Sequence, residues 1–181
     1  MAGTADIVRI QAHDWPQLLE LWKRIALGDV PEWADGKAME HLVLRAFELD
    51  GADVVWPYSV RLQGKEVEQI DGVVHCKGLS CLVESKDTTD KVNVTPITKL
   101  RYQLLRRPSG ALGLVFSRSG FTEPALILAQ FMSPLNILLY EGEEVEYLLK
   151  RQSMVNPLLE KYRRCIEQAL PNYDTRAGAI T

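Results

Sequence analysis

Two carboxylates and a lysine stand within apolar sequence in the middle part of the chain. Asp71 follows Ile70, and Glu84 and Lys86 flank a serine directly after the apolar residue Val83. Carboxylate oxygens are hard ligands that suit Mg²⁺, which keeps several waters and completes its coordination with substrate phosphate. A lysine beside such an ion can stabilise developing negative charge or orient an attacking water. These residue types are therefore those of a candidate magnesium site that would bind a phosphate group.

A β-hairpin would bring these residues together. The segments 66–76 and 79–86 have the composition of strands, and the residues between them, Lys77-Gly78, form the commonest length of hairpin loop. With that loop the two strands pair antiparallel, so that Cys76 stands opposite Leu79. The spacing therefore sets the partner of every residue along both strands.

In this register the polar side chains share one face of the hairpin. Asp71 falls opposite Glu84 and Gln69 falls opposite Lys86, because side chains alternate between faces with a period of two. The opposite face is predicted to be core and carries Ile70, Gly72, Val74, Cys81 and Val83. Two carboxylates directly across a ladder repel each other. We therefore expect a divalent cation between them, with Gln69 placed to hold a water, a second metal ligand or a phosphate oxygen.

The same face has a second interpretation, because charged residues on a strand are most often a solvated surface. Lys86 would then neutralise the acids as a surface salt bridge. The apolar neighbours Val73 and Leu82 favour a covered sheet instead, and buried carboxylates without partners are unfavourable. From the hairpin alone, a metal site and a solvated face both stay open.

The rest of the pattern predicts an α/β (α+β) chain. Helical spacing and stop signals predict helices over 15–27, 36–49, 95–107, 122–131 and 143–169, the last with a break near Asn156-Pro157. Strand patterns cover 53–62, 66–76, 79–86, 111–117 and 135–140. Asp35 is the candidate N-cap of the second helix, and disorder is expected only at the two ends, 1–6 and 175–181. This order of elements implies a mixed central sheet flanked by helices on both faces.

Composition and charge limit the class of protein. A chain of 181 residues suits one domain, and 46% hydrophobic with 25% charged residues is typical of globular proteins. Three cysteines without a CxxC pair predict a reducing, cytoplasmic setting and no disulfide framework. Apolar runs such as 125–129 are too short to cross a membrane. The net charge of −3 argues mildly against a protein that coats nucleic acid.

The motif residues resemble the PD-(D/E)xK signature of restriction-endonuclease-like nucleases. Asp71 with Glu84-Ser85-Lys86 matches the signature, and Gln69-Ile70-Asp71 resembles the QxD form of its Mrr-like branch. Three further segments resemble that branch in the same order: the G-x-x-x-E helix start at Gly36–Glu40, the sGFt…A turn at Ser119–Ala125 and the closing strand at Ile137–Tyr140.

The resemblance implies a fold and an activity. It predicts a restriction-endonuclease-like αβββαβ core over 35–140, with helical extensions at 1–34 and 141–181. It also implies hydrolysis of DNA phosphodiesters with Mg²⁺, for which Mn²⁺ can substitute. A biological role in restriction and defence, or in DNA repair, follows from the resemblance alone.

The resemblance also assigns roles to single residues. Asp71 and Glu84 would be the metal ligands and Lys86 the catalytic lysine. Gln69 and Glu40 would be supporting active-site residues. Ser85 departs from the pattern, because many Mrr-like domains have cysteine or alanine between the acid and the lysine. Glu40 also has a simpler explanation, since a glutamate is favoured near the positive N-terminus of a helix.

A run of basic residues follows the hairpin. Lys99, Arg101, Arg106 and Arg107 give the predicted helix 95–107 four positive charges and no acid. We predict contacts with DNA phosphates from this helix. A solvent-exposed helix face would have the same composition.

The main hypothesis is a Mg²⁺-dependent DNA endonuclease with water as the nucleophile. Its partners would be DNA and either a second copy of the chain or a separate DNA-recognition subunit, because a catalytic domain that cuts both strands benefits from two-fold symmetry. Two alternatives stay open. One is a non-catalytic, nuclease-like DNA-binding or assembly module, and the other is an RNA nuclease on the same core.

Overall fold

The computed structural model describes residues 2–180, with the side chains of residues 4–178. The α-helices are α1 Ala2–Gln11, α2 Trp15–Leu27, α3 Lys37–Leu49, α4 Val94–Leu104, α5 Glu123–Phe131, α6 Gly142–Arg151 and α7 Val155–Gln168, followed by a 3-10 helix at Thr175–Ile180. The strands are β1 Asp53–Val55, β2 Tyr58–Leu62, β3 Lys65–Ile70, β4 Gly72–Cys76, β5 Leu79–Lys86, β6 Leu112–Ser117 and β7 Ile137–Glu141.

A five-stranded mixed sheet in the order β1-β4-β5-β6-β7 forms the centre of the molecule. β1, β4 and β5 pair antiparallel, whereas β5, β6 and β7 pair parallel. The parallel pairs require crossover connections, which α4 and α5 provide. Every residue of β6 is buried, as expected for an apolar strand covered on both faces.

Helices cover both faces of this sheet, as predicted. One face packs against α2, α3, α6 and α7 around Phe47, Phe116 and Tyr140. The other packs against α4 and α5 around Leu100 and Val115. All three cysteines are free and buried. Within residues 2–180, no helix combines the length and apolar character needed to cross a membrane.

The predicted register of the hairpin is confirmed from Gly72 onwards. β4 and β5 pair with Cys76 opposite Leu79 and Gly72 opposite Val83, around the turn at Lys77-Gly78. The ladder follows the sequence spacing because the turn length and the alternation of buried side chains specify the same pairing.

The predicted strands 53–62 and 66–76 are each broken in two, which corrects the expectation for Gln69. β2 and β3 form a separate two-stranded ribbon, in which Gln69 pairs with Ser59 and not with Lys86. The first break falls at Trp56-Pro57, where the proline has no N–H for a ladder. The second falls at Asp71. Ile70 consequently joins the core on the α4 side of the sheet, the face opposite to the one predicted.

Several helix boundaries also differ from the prediction. α3 has Gly36 as its N-cap, with φ +74°, and Asp35 does not cap it. α4 ends at Leu104, so Arg106 and Arg107 lie beyond it. The break predicted near Asn156-Pro157 lies earlier, at 152–154, and Pro157 falls in the first turn of α7, where proline is tolerated.

The two ends of the chain are more regular than expected. α1 begins at Ala2, and the 3-10 helix runs to Ile180, whereas disorder was predicted for 1–6 and 175–181. Met1 and Thr181 lie outside the described residues. The domain boundaries at 34/35 and 140/141 stay a prediction.

Gly72 allows α3 to approach the sheet beside Asp71. A Cβ at this position would lie 2.5 Å from Cδ2 of Leu44, a fully buried residue of α3. Because α3 also carries Glu40, this close packing holds Glu40 and Asp71 near each other.

We predict that Gly72→Ala lowers the free energy of unfolding by about 1–3 kcal/mol, because the added methyl overpacks this contact. Gly110→Ala is the matched control, since a Cβ there meets no atom within 4 Å. The control should change stability by no more than about 0.5 kcal/mol. Urea unfolding of the three proteins measures both effects, and equal stabilities would contradict the close approach.

Candidate active site

Three acidic side chains from different elements are buried close to one another. Asp71 lies at the break between β3 and β4, Glu84 in β5 and Glu40 in the first turn of α3. Their exposed fractions are 7%, 1% and 5%, respectively. The burial contradicts the interpretation of Asp71 and Glu84 as part of a solvated strand face. Buried carboxylates need partners, and each of the three has one.

Asp71 reaches β5 with its side chain after the ladder has ended. Its Oδ2 accepts a hydrogen bond of 3.0 Å from the backbone N–H of Ser85. This bond ties Asp71 beside Glu84, although the last paired residues are Gly72 and Val83. The side chain of Asp71 therefore stays beside Glu84, although β3 belongs to a separate two-stranded sheet with β2.

Glu84 is held by two lysines, one at each carboxylate oxygen. Lys86 Nζ lies 2.7 Å from Oε1, and Lys99 Nζ donates to Oε2 at 2.7 Å. The Lys86 contact agrees with the predicted spacing within β5. Lys99 comes from α4, which crosses over the sheet between β5 and β6.

Glu40 is paired with a lysine of its own helix. Lys37 Nζ lies 2.6 Å from Glu40 Oε2, one turn earlier in α3. Burial raises the pKa of Glu40 to about 7, and the negative charges of Asp71 and Glu84 add to this effect against the opposing effect of Lys37. Glu40 is therefore electrostatically part of the same centre.

Burial and neighbouring charges also shift the pKa values of Asp71 and Lys86. Burial raises the pKa of Asp71, and the neighbouring Glu84 raises it further, against the Ser85 N–H and the two lysines. Burial alone would lower the pKa of Lys86. Its contact with Glu84 and the charges of Asp71 and Glu40 outweigh burial, so the pKa of Lys86 is raised.

The donor atoms of the centre fit a hard divalent cation. Among the described residues, Glu40 Oε1 is buried and accepts no hydrogen bond, and the buried Glu84 Oε1 has only the ion pair with Lys86. Mg²⁺ is commonly bound by one or two carboxylates, with waters and phosphate oxygens as its other ligands. Within the described part of the chain, no group of three or more His, Cys, Asp or Glu side chains is arranged to hold a metal ion by itself. The pair of carboxylates from Asp71 and Glu84 fits the one or two carboxylates that Mg²⁺ commonly uses.

A cleft of about 400 Å³ opens beside Glu40. We call it the Glu40 cleft, and its polar lining includes Lys37, Glu40, His41, Tyr58, Ser59 and Gln69. Gln69 therefore lies in the same cleft as Glu40, although it does not face Lys86 across a ladder. Its position comes from the β2–β3 ribbon, which forms one wall of the cleft.

Each of the four predicted DNA-contacting residues has an interaction partner within the protein. Lys99 lies in the acidic centre, whereas Arg101 donates to the carbonyl of Ser133 at 2.6 Å. Arg106 and Arg107 both form ion pairs with the buried carboxylate of Glu68. The positive charges of Lys99, Arg106 and Arg107 are therefore paired with carboxylates of the protein itself.

The sequence alone did not assign Lys37 and Lys99 to the centre. Lys37 and Glu40 are three residues apart on a helix, a spacing that favours ion pairs, so this signal was present. For Lys99, the sequence showed the basic composition of the predicted helix, but it did not show how that helix is rotated about its axis over the sheet.

A family model named Mrr_cat and described as a restriction endonuclease matches residues 32–149. A crystal structure of a protein of unknown function, AF1548, superposes with a TM-score of 0.51 at 18% sequence identity, covering 73% of this chain and 77% of that chain. The predicted restriction-endonuclease-like fold is thereby confirmed. No curated protein matches the sequence.

We predict that Glu40→Gln stabilises the metal-free protein more at pH 8 than at pH 4.5. The raised pKa means that folding favours protonated Glu40, so this stability is present below the ordinary pKa of 4.5 and is lost as the pH rises through about 7. The variant removes that loss, and the difference between the two pH values should be about 1–3 kcal/mol.

Urea unfolding in EDTA at both pH values tests this expectation. Glu20→Gln, in an exposed ion pair of α2, is the control and should keep the pH dependence of the parent protein. An unchanged pH dependence in Glu40→Gln would mean that Glu40 is not desolvated in solution.

Proposed function

The chain belongs to the Mrr_cat restriction endonuclease family, and from that premise we propose that it is a metal-dependent DNA endonuclease acting through Asp71, Glu84 and Lys86. Membership already makes it a nuclease of the restriction-endonuclease-like type. The metal dependence and the DNA substrate are the proposed part. The observation that carries them is the buried Glu84 carboxylate beside Asp71, with an ammonium group at each of its oxygens.

The site has the charge and the access that a phosphodiester requires. Side chains of Lys86 and Lys99 are 32% and 42% exposed, whereas Glu84 beneath them is 1% exposed. The positive groups therefore face the solvent side and the negative groups lie below. A phosphate approaching from solvent meets the ammonium groups first, which favours binding of its oxygens.

Asp71 and Glu84 would hold Mg²⁺ or Mn²⁺, which when bound polarises the phosphate and lowers the pKa of a coordinated water. The Ser85 N–H fixes the orientation of Asp71. Lys86 is within reach of the same space and would donate a hydrogen bond to the attacking water or to a phosphate oxygen. Glu40 and Gln69, which line the Glu40 cleft, would hold water or substrate oxygens at its other side.

The proposal extends to partners. Cleavage of both strands would use either a second copy of the chain or a separate DNA-recognition subunit. A role in restriction, in defence or in DNA repair would follow from such a complex. Two hypotheses compete with this proposal. One is an RNA nuclease that uses the same residues, and the other is a non-catalytic DNA-binding or assembly module.

We predict that the purified protein nicks or linearises supercoiled plasmid in Mg²⁺ or Mn²⁺ and is inactive in EDTA. Glu84→Gln and Lys86→Met should each reduce the rate by about 100-fold or more, because the first weakens a metal ligand and the second removes a positive charge that acts on the water or the phosphate. Agarose gels with matched single-stranded DNA, RNA and hybrid substrates give the rates and the substrate class together.

Lys150→Met is the matched control for loss of a lysine. Lys150 forms an exposed ion pair with Glu146 in α6, and the variant should cleave at the rate of the parent protein. Cleavage that survives both active-site substitutions would overturn the assignment of the site. Faster cleavage of RNA than of DNA would favour the RNA nuclease, and metal-independent DNA binding without cleavage would favour the non-catalytic module.

A further inference from the structure

We propose that Lys99 is a second lysine of the active centre, which occupies Glu84 in the metal-free protein and moves to substrate phosphate when a cation binds. This assignment rests on the proposed function and deepens it. It replaces the simpler expectation that Lys99 is one of several phosphate contacts on a basic helix.

The first argument is the double occupation of Glu84. Its two oxygens are each 2.7 Å from an ammonium nitrogen, Lys86 at Oε1 and Lys99 at Oε2. A divalent metal bound to a carboxylate oxygen lies at about 2.0–2.1 Å for Mg²⁺. The lysines stand where such an ion would bind, so a cation and at least one ammonium group compete for the same oxygen.

The second argument is the balance of charge. Glu40, Asp71 and Glu84 lie with Lys37, Lys86 and Lys99, so the metal-free centre is close to neutral. One lysine would be enough to neutralise Glu84. The second also compensates Asp71, whose own hydrogen bond comes from a neutral backbone N–H. A bound cation would take over this compensation, and one lysine charge would then be available to a phosphate.

The third argument decides which lysine moves. Lys86 is attached to the same strand as Glu84, two residues away, and its side chain is the less exposed of the two. Lys99 reaches across from α4 and is 42% exposed. Its neighbours Ile97 and Leu100 are fully buried and hold the helix in place. The side chain can therefore swing toward solvent and substrate without movement of the backbone.

The proposal predicts effects of opposite sign in one variant. Lys99→Met should bind Mn²⁺ about three- to tenfold more tightly than the parent protein, because a partly exposed competing charge is removed. It should also bind a DNA duplex in Ca²⁺ more weakly and cleave DNA at saturating Mn²⁺ at least tenfold more slowly. Calorimetric titration with Mn²⁺ alone gives the first quantity without any need for activity.

Arg101→Met is the matched control, because it removes one positive charge from the same helix at a side chain that contacts the Ser133 carbonyl and not Glu84. Its Mn²⁺ affinity should stay unchanged. Lys99→Arg keeps the charge and should keep the parent Mn²⁺ affinity. Lys99→Gln serves as a second neutral variant, and thermal melting in EDTA selects whichever neutral variant is folded.

The outcomes separate this assignment from the proposed function. Unchanged Mn²⁺ affinity in the neutral variant would mean that Lys99 only forms an ion pair with Glu84. Weaker Mn²⁺ binding would mean that Lys99 positions Glu84. Either result overturns this proposal and leaves the proposed metal-dependent nuclease intact. A parent protein that binds no Mn²⁺ would overturn the proposed function, and the role of Lys99 with it.

Discussion

Burial of the Glu84 carboxylate beside two other acids is the constraint on which the rest of the structure depends. An isolated buried carboxylate is strongly unfavourable, and a second nearby increases the repulsion. The compensation here comes from separate elements: Lys86 from β5, Lys99 from α4 and Lys37 from α3. These elements must therefore be positioned together, because displacement of α3 or α4 would remove part of the positive charge that offsets the three buried carboxylates.

The break at Asp71 places the two halves of one segment in different sheets. Up to Ile70 the chain belongs to the β2–β3 ribbon, and from Gly72 it belongs to the central sheet. Asp71 itself is paired in neither ladder, so its carboxylate is available to the centre and is held by the Ser85 N–H. A continuous strand would have kept Gln69 on the sheet. The break instead moves it to the wall of the Glu40 cleft.

The parts of the site that depend on local spacing could be predicted from the sequence. A two-residue turn and alternating burial determine the β4–β5 register, and the same register places Asp71 next to Glu84. The break was not predicted, although Asp71-Gly72 is a dipeptide that often marks a turn, because the apolar residues on both sides favoured one continuous strand. The contact of Lys99 with Glu84 was not visible either, since it depends on how far α4 rotates about its axis when Leu100 packs on β6. Periodicity identifies the buried face of a helix, but it does not tell which carboxylate the edge of that face will meet.

α4 links the acidic centre to the ribbon that borders the Glu40 cleft. Lys99 contacts Glu84, and Gln103, one turn later, donates from Nε2 to the carbonyl of Gln69 at 3.1 Å. Directly after the helix, Arg107 pairs with the buried Glu68 of the same ribbon. One helix thus fixes the positions of the Glu84 carboxylate and of the cleft wall relative to each other.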